Sequence, residues 1–427
     1  MKTAYINGIL LDGTADMTPQ EDLVVLTDDD TIEDIEFRDN VDLSGYRIVD
    51  LDGKYLMPGL INLHVHLPAT GKPKKKQPDN VKLVKLMTSN PVLEGIIHRI
   101  CEETAKTELM SGVTTIRTVG GIEDTDSMLR DRIAAGNTVG PRIIACNQAV
   151  SVPGGHMAGS LGYIAHTPEE AVGYVRKIAA QKPDLIKLMI TGGVMDATVR
   201  GEPGELKMPP EMIRAACDEA HRLGMKVAAH VESPEGIKAA LKNGVDSIEH
   251  GAVPDAEIIE LFKKNDAILV TTLSPAMPYS LFDPQISHVT ELEQYNGTVV
   301  FTGIIACAKA CLEQGISVGL GTDTGVPYVT HYDMWRELYY FHKFCGVTNQ
   351  FALHTATQKN AELAGIGDVT GTLEAGKSAD MIVTEQNPLY DLRALRNIDM
   401  VVVRGRLISH PKVRKYGQAE KQLDMVL

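Results

Sequence analysis

Between about residue 58 and residue 365, short apolar runs alternate with longer amphipathic segments. The runs are Leu60 to His66, Val113 to Val119, Arg142 to Cys146, Leu185 to Ile190, Lys226 to Val231, Ser247 to His250, Ile268 to Thr272, and Ser317 to Thr322. Each has the length of a buried strand, whereas segments such as 211–223 and 234–243 carry helical periodicity. Eight strand–helix units over about 300 residues predict an α/β fold, a (β/α)8 barrel, with a doubly wound open sheet as the alternative.

The two ends of the chain have a different pattern. Ala4-Tyr5-Ile6 and Leu23-Val24-Val25-Leu26 are short β-rich runs separated by Asp- and Gly-rich turns. Ala379-Asp380-Met381-Ile382-Val383 and Met400-Val401-Val402-Val403-Arg404-Gly405 repeat that pattern near the C-terminus. Residues 1–57 and 366–427 are therefore expected to form one small β-sandwich-like domain beside a barrel at 58–365.

Composition narrows the function classes. The chain is 44% hydrophobic and 23% charged, with a net charge of -14. That balance gives no basic footprint for a nucleic acid. No apolar run reads as long enough to span a bilayer, and the start, Met1 to Gly8, reads as a strand and a turn rather than a signal peptide. The six cysteines form no CxxC pair, and Cys307 and Cys311, four apart on an expected helix, are read as packing. A reduced cytoplasmic protein is the simplest expectation.

The polar residues on the strands carry the candidate chemistry. Side chains alternate along a strand, so His64 and His66 share one face and Val65 takes the other. His230 ends Val227-Ala228-Ala229-His230, His250 ends Ser247-Ile248-Glu249-His250, and Asp323 follows Gly319-Leu320-Gly321-Thr322. Lys187 lies inside Leu185-Ile186-Lys187-Leu188-Met189-Ile190, where a buried ammonium is costly unless something stabilises it. A barrel gathers strand ends at one mouth, and four histidines and a carboxylate there suit a metal centre. An ammonium beside metal cations would be repelled, so Lys187 fits best as a carbamate formed with carbon dioxide. The rival is a Schiff-base lysine, which needs no cluster of imidazoles.

The chain resembles the amidohydrolase superfamily, in its binuclear branch with a carboxylated lysine. Within that branch it resembles the Xaa-Pro dipeptidase-like and Xaa-Arg/Lys carboxypeptidase-like members. The resemblance rests on Met57-Pro58-Gly59-Leu60-Ile61-Asn62-Leu63-His64-Val65-His66, Gly112 to Arg117, Gly154-Gly155-His156, Ser247 to Gly251, and Gly321-Thr322-Asp323-Thr324-Gly325. Ala356-Thr357 through Asn360-Ala361 to Gly365, and Gly371 to Asp380, extend it over nearly the whole chain.

The resemblance implies a TIM barrel holding two divalent metal ions, zinc foremost, with manganese or cobalt as fitting alternatives. It implies that His64, His66 and Asp323 hold the more buried ion and His230 and His250 the more exposed one. Carboxylated Lys187 and a hydroxide would bridge them, and Asp323 would move the proton to the leaving amine. His156 would bind the substrate carboxylate or carbonyl. Arg117 and His331, near the ends of the second and eighth strands, are candidates for the site wall. The implied reaction is hydrolysis of an amide bond in a dipeptide, an N-acyl amino acid or another small molecule. A cyclic-amide or lactone hydrolase or a deaminase is the alternative, and a non-catalytic scaffold would have lost ligands that this chain keeps. Relatives commonly self-associate, so a homo-oligomer is expected. Two departures bear on the substrate. Many dipeptidase-like relatives carry tyrosine where this chain has Glu232, and aspartate where it has Thr118. An anion at Glu232 would favour a substrate with a basic or neutral side chain. The loop Lys72-Pro73-Lys74-Lys75-Lys76 follows the first strand and is read as a solvated charge run or a lid.

Overall fold

A computed structural model describes residues 1–73 and 78–427. Lys74, Lys75 and Lys76, the heart of the basic loop, lie outside the described residues. The eight expected strands form at Leu60–Val65, Val113–Thr118, Arg142–Ile144, Leu185–Met189, Lys226–Val231, Ser247–His250, Ile268–Thr271 and Val318–Leu320. Adjacent pairs run parallel, with helices such as Pro210–Arg222 and Pro234–Lys242 between them. The result is the (β/α)8 barrel.

Two joints close the barrel. At the first, the backbone of Asp184 donates to the carbonyl of Ala145 at 2.7 Å, linking the third strand to the fourth. At the second, the eighth strand meets the first. There Asp323 N–H donates to the His64 carbonyl at 2.8 Å, and Asn360 Nδ2 donates to the carbonyls of Ile61 and Leu320. A Cβ on Gly321 would strike the backbone and Cβ of His64, so this seam requires glycine. Asn62 Nδ2 also donates to Thr322 Oγ1 across the seam at 2.8 Å. The strand order therefore brings His64 and Asp323, which are far apart in the chain, into contact.

The third strand is interrupted. It resumes as Ala149–Ser151, which pairs in parallel with the short strand Gly162–Ile164. These two unexpected strands carry the loop that presents His156.

Both chain ends contribute to the β region. One sheet has the order Thr31–Phe37, Leu23–Asp28, Thr3–Ile6, Arg47–Asp50. The other has the order Arg406–Ser409, Ile398–Val403, Met381–Thr384, Tyr55–Pro58, Ile9–Leu10, mixing both termini. Tyr5, Val25, Ile32, Leu56, Met381 and Val402 pack in one cluster fed by both sheets, which removes their apolar faces from water.

Two expectations are corrected by the structure. Not all of 366–427 stays with the sheets. Helix Gly417–Leu423 packs Ala419 and Leu423 into the barrel's main core, and buried Arg336 holds it through Glu420 and Asp424 at 3.2 and 2.7 Å. The chain also contains a helix long and apolar enough to pass for a membrane span, Glu291–Glu313, with mean hydropathy 1.3 in its richest window. Half of that window is buried in the protein. All six cysteines are free and buried, in keeping with packing roles.

Candidate functional site

Asn62 and His64 occupy alternate positions of the first strand and His66 follows its last residue, Val65; the two histidines line the same cavity. His64 Nδ1 donates to Glu249 Oε2 at 2.8 Å and His66 Nδ1 to the Gly120 carbonyl at 2.8 Å. Each bond leaves Nε2 facing inward, and the two Nε2 atoms lie 3.4 and 3.1 Å from Asp323 Oδ1. His250 Nδ1 meets Thr272 Oγ1 at 2.7 Å. The His64 and His250 rings are 4.9 Å apart and the His230 and His250 rings 4.7 Å apart.

Ligand atoms of His64, His250 and Asp323 lie within 4.8 Å of one another, and so do those of His230, Glu232 and His250. His250 thus sits between two adjoining donor groups. Its φ of 71° and Asp323's φ of 58° are left-handed, a conformation that costs a non-glycine residue about 1–3 kcal/mol. The strain has a structural consequence at His250. Glu249 and His250 are consecutive on a strand, yet both reach the interior, because the left-handed turn overrides alternation.

The electrostatics favour ligation by neutral imidazoles. Burial holds His64 and His230 well below the usual histidine range and brings His250 down to about 4. Burial opposes ionisation of Asp323, but the His64 and His66 rings beside it outweigh that and hold its carboxyl far below the ordinary range. Lys187 is 1% exposed, and its Nζ has no hydrogen-bond partner among the described residues. Burial pulls its pKa down to about 8 against the opposing pull of Glu249 and Asp323. A partnerless buried amine surrounded by metal-type donors is what an anionic modification and cations would satisfy, so the residues fit a metal centre.

These residues line a cavity of about 480 Å³ at the C-terminal ends of the strands. His156 joins them, stacked on His230 with ring centroids 4.1 Å apart. Its Nδ1 is held by Asp196 Oδ2 at 2.6 Å, which leaves Nε2 as the free ring nitrogen. Glu232 lines the cavity too, and burial together with Asp323 and Asp196 raises its pKa to about 8. The opposite wall is apolar, built from Leu83, Val84 and Met87 of helix Asn80–Met87 with Ile97, Ile100 and Ile122.

Arg117 and His331 are corrected from wall to scaffold, because neither lines this cavity. Arg117 Nη2 donates to both oxygens of Glu249 at 2.7 Å, and its Nε to the Leu63 carbonyl at 2.7 Å. His331 spends both ring nitrogens, on Glu108 at 3.0 Å and on the Ala69 carbonyl at 2.7 Å.

Several supporting residues carry no sequence signal. Glu249 is fully buried between Arg117 and His64, so it fixes the ring orientation of a candidate ligand. Glu337 accepts from the backbone N–H groups of Leu273 and Ser274 and so pins the loop after the seventh strand, next to His250's partner Thr272. Burial raises Glu337 to about 7. Replacing Glu249 by Gln should weaken divalent-metal binding at this site about 10–100-fold, since His64 loses its anionic anchor. It should also destabilise the fold by about 3–5 kcal/mol by leaving the Arg117 charge unpaired. Divalent-metal titration and denaturant melts of the variant check both, and wild-type metal affinity would refute the anchoring role.

The profile of the amidohydrolase family matches residues 55–408. The chain belongs to the amidohydrolase family. Among proteins of known structure, this amidohydrolase is 35% identical to a proposed prolidase from Bifidobacterium longum, over 99% of this chain and 98% of that one, with a TM-score of 0.88. It is 29% identical to a Xaa-Pro dipeptidase solved with methionine in its active site, over 96% and 100% of the two chains, with a TM-score of 0.83. Ochratoxinase from Aspergillus niger is 27% identical over an alignment of 394 positions that covers 85% of this chain and 77% of that protein. This amidohydrolase is accordingly a hydrolase with candidate divalent-metal ligands at the barrel mouth.

Proposed function

We propose that this amidohydrolase is a binuclear enzyme that cleaves the amide bond of dipeptides or N-acyl amino acids. The observation that carries this reading is the convergence of four histidines, Asp323 and the partnerless Nζ of Lys187 on the floor of one cavity. His64, His66 and Asp323 would hold one ion, His230 and His250 the other, and carboxylated Lys187 would bridge them. Two bound divalent cations, zinc by preference for this donor set, would acidify a water molecule and polarise the scissile carbonyl.

The chain's own residues supply the rest. Carboxylation needs the free amine: the Lys187 nitrogen lone pair would form a bond to the carbon of carbon dioxide, one C=O π pair would move onto its oxygen, and one nitrogen proton would pass to water. A pKa drawn down to about 8 makes that amine accessible near neutrality. Asp323, ionised among the imidazoles, would accept the nucleophile's proton and deliver it to the departing amine nitrogen. His156, its Nδ1 committed to Asp196, would offer Nε2 to the substrate's α-carboxylate. The apolar wall of Leu83, Val84, Met87 and Ile100 suits an uncharged acyl group or side chain.

A screen of dipeptides, N-acyl amino acids, cyclic amides and lactones with the zinc-loaded enzyme tests this reading. Turnover confined to lactones or cyclic amides would overturn it. In the same screen His156→Asn should lower kcat/KM for substrates with a free carboxylate by about tenfold or more, the worth of one charge-assisted contact. Equal losses on substrates with an amidated terminus would remove the carboxylate from that role.

A further inference from the structure

We propose that Glu232 is a metal ligand in this chain, completing the donor set formed by His230 and His250. The proposal rests on the binuclear reading above. His230 lies on the fifth strand and Glu232 one residue past its end, and both side chains line the same cavity. A ligand atom from each of His230, Glu232 and His250 lies within 4.8 Å of the other two, the span over which one cation can draw three donors together. Glu232 Oε2 is shut off from solvent yet has no hydrogen-bond partner among the described residues, which is unusual for a buried carboxylate oxygen. Its backbone is already fixed, with N–H donating to Thr191 Oγ1 at 3.1 Å, and Gly193 leaves the space that Oε2 faces.

Charge supports the same assignment. Two divalent cations bring four positive charges into a buried site whose histidines are neutral. Asp323 and carboxylated Lys187 offset two of them, and a Glu232 carboxylate on the less buried ion offsets a third.

The test is zinc binding by wild type, Glu232→Gln and Glu232→Ala, with stoichiometry from metal analysis and affinity from competition with a chromophoric chelator. Wild type should bind two equivalents. In both variants one equivalent should weaken by more than the roughly 10–100-fold that follows loss of a group behind a ligand, while the other stays tight. Two equivalents bound with wild-type affinity in Glu232→Gln would overturn the proposal. So would intact zinc binding combined with a collapse of the preference between dipeptides bearing lysine and leucine side chains, which would make Glu232 a selectivity wall. Fewer than two equivalents in wild type would instead overturn the binuclear reading, and this proposal with it. An arm that needs no variant is the zinc-loaded wild-type crystal. A Glu232 oxygen about 2.0–2.2 Å from an ion identified by anomalous scattering supports ligation, and an oxygen beyond hydrogen-bond range of any ion refutes it.

Discussion

Lys187→Ala should purify without its full complement of divalent metal and with kcat at least about 10³-fold down, because the several kcal/mol supplied by a metal-activated nucleophile are lost together. Lys187 is enclosed on the fourth strand, its Nζ has no partner among the described residues, and the acidic groups that act on its charge are Glu249 and Asp323. As an ammonium it would repel cations at the same floor, and as a neutral amine it would offer a single donor atom. Carboxylated, it would offer two oxygens and a negative charge in the cavity that both donor groups line. The alanine variant opens room where the bridge would lie. Acetate or propionate at millimolar concentration should therefore restore part of the metal content and part of the activity. Metal analysis and kinetics in the presence and absence of the acid check this. Full metal content and near wild-type kcat in Lys187→Ala would refute the bridging role. Substrate trapped on Lys187 by borohydride would point to the Schiff-base alternative.

Asp323→Asn should lower kcat by about 10²–10⁴-fold, the range for loss of a general acid–base group, with a smaller change in KM. The amide has nearly the same shape, and the backbone contact of residue 323 with His64 across the seam is kept. What disappears is the charge that the His64 and His66 rings stabilise and an oxygen able to take up a proton. Metal content must be measured on the same preparation, since Asp323 also lies among the candidate ligands. A variant that keeps its metal and retains kcat within a few-fold of wild type would show that the proton moves by another route.

The barrel was legible in the sequence because its strands are buried on both faces. A short, continuous apolar run such as Leu185 to Ile190, broken only by Lys187, is what a strand covered on both sides requires. The β region was legible only as strands. The pairing of Tyr55–Pro58 with Met381–Thr384 depends on contacts across more than three hundred residues, which no local pattern encodes. The packing of Gly417–Leu423 on the barrel is of the same kind, since it turns on Arg336 finding Glu420 and Asp424.

Misassigned residues share one cause. Arg117 lies near the end of a strand, so it was a candidate for the site wall. The anion it meets is Glu249, one residue before a candidate ligand and, by alternation alone, on the wrong face. His331 likewise follows the eighth strand but finds Glu108 and the Ala69 carbonyl before it can reach the cavity. Asp196 sits in a turn with no periodic signal, and only the fold brings it to His156.

By itself the sequence determined the strand–helix alternation, the shared face of His64 and His66, and the presence of a lysine inside an otherwise apolar strand. Those features follow from local periodicity and from the cost of burying charge, which act within a few residues. Only the tertiary structure decided which charged groups face one another: Glu249 between Arg117 and His64, Asp196 behind His156, and Glu232 beside His230 and His250. The physical reason is that electrostatic partnership is set by distance in space. In a closed barrel, seam contacts and left-handed turns such as those at His250 and Asp323 fix that distance, and strand periodicity does not.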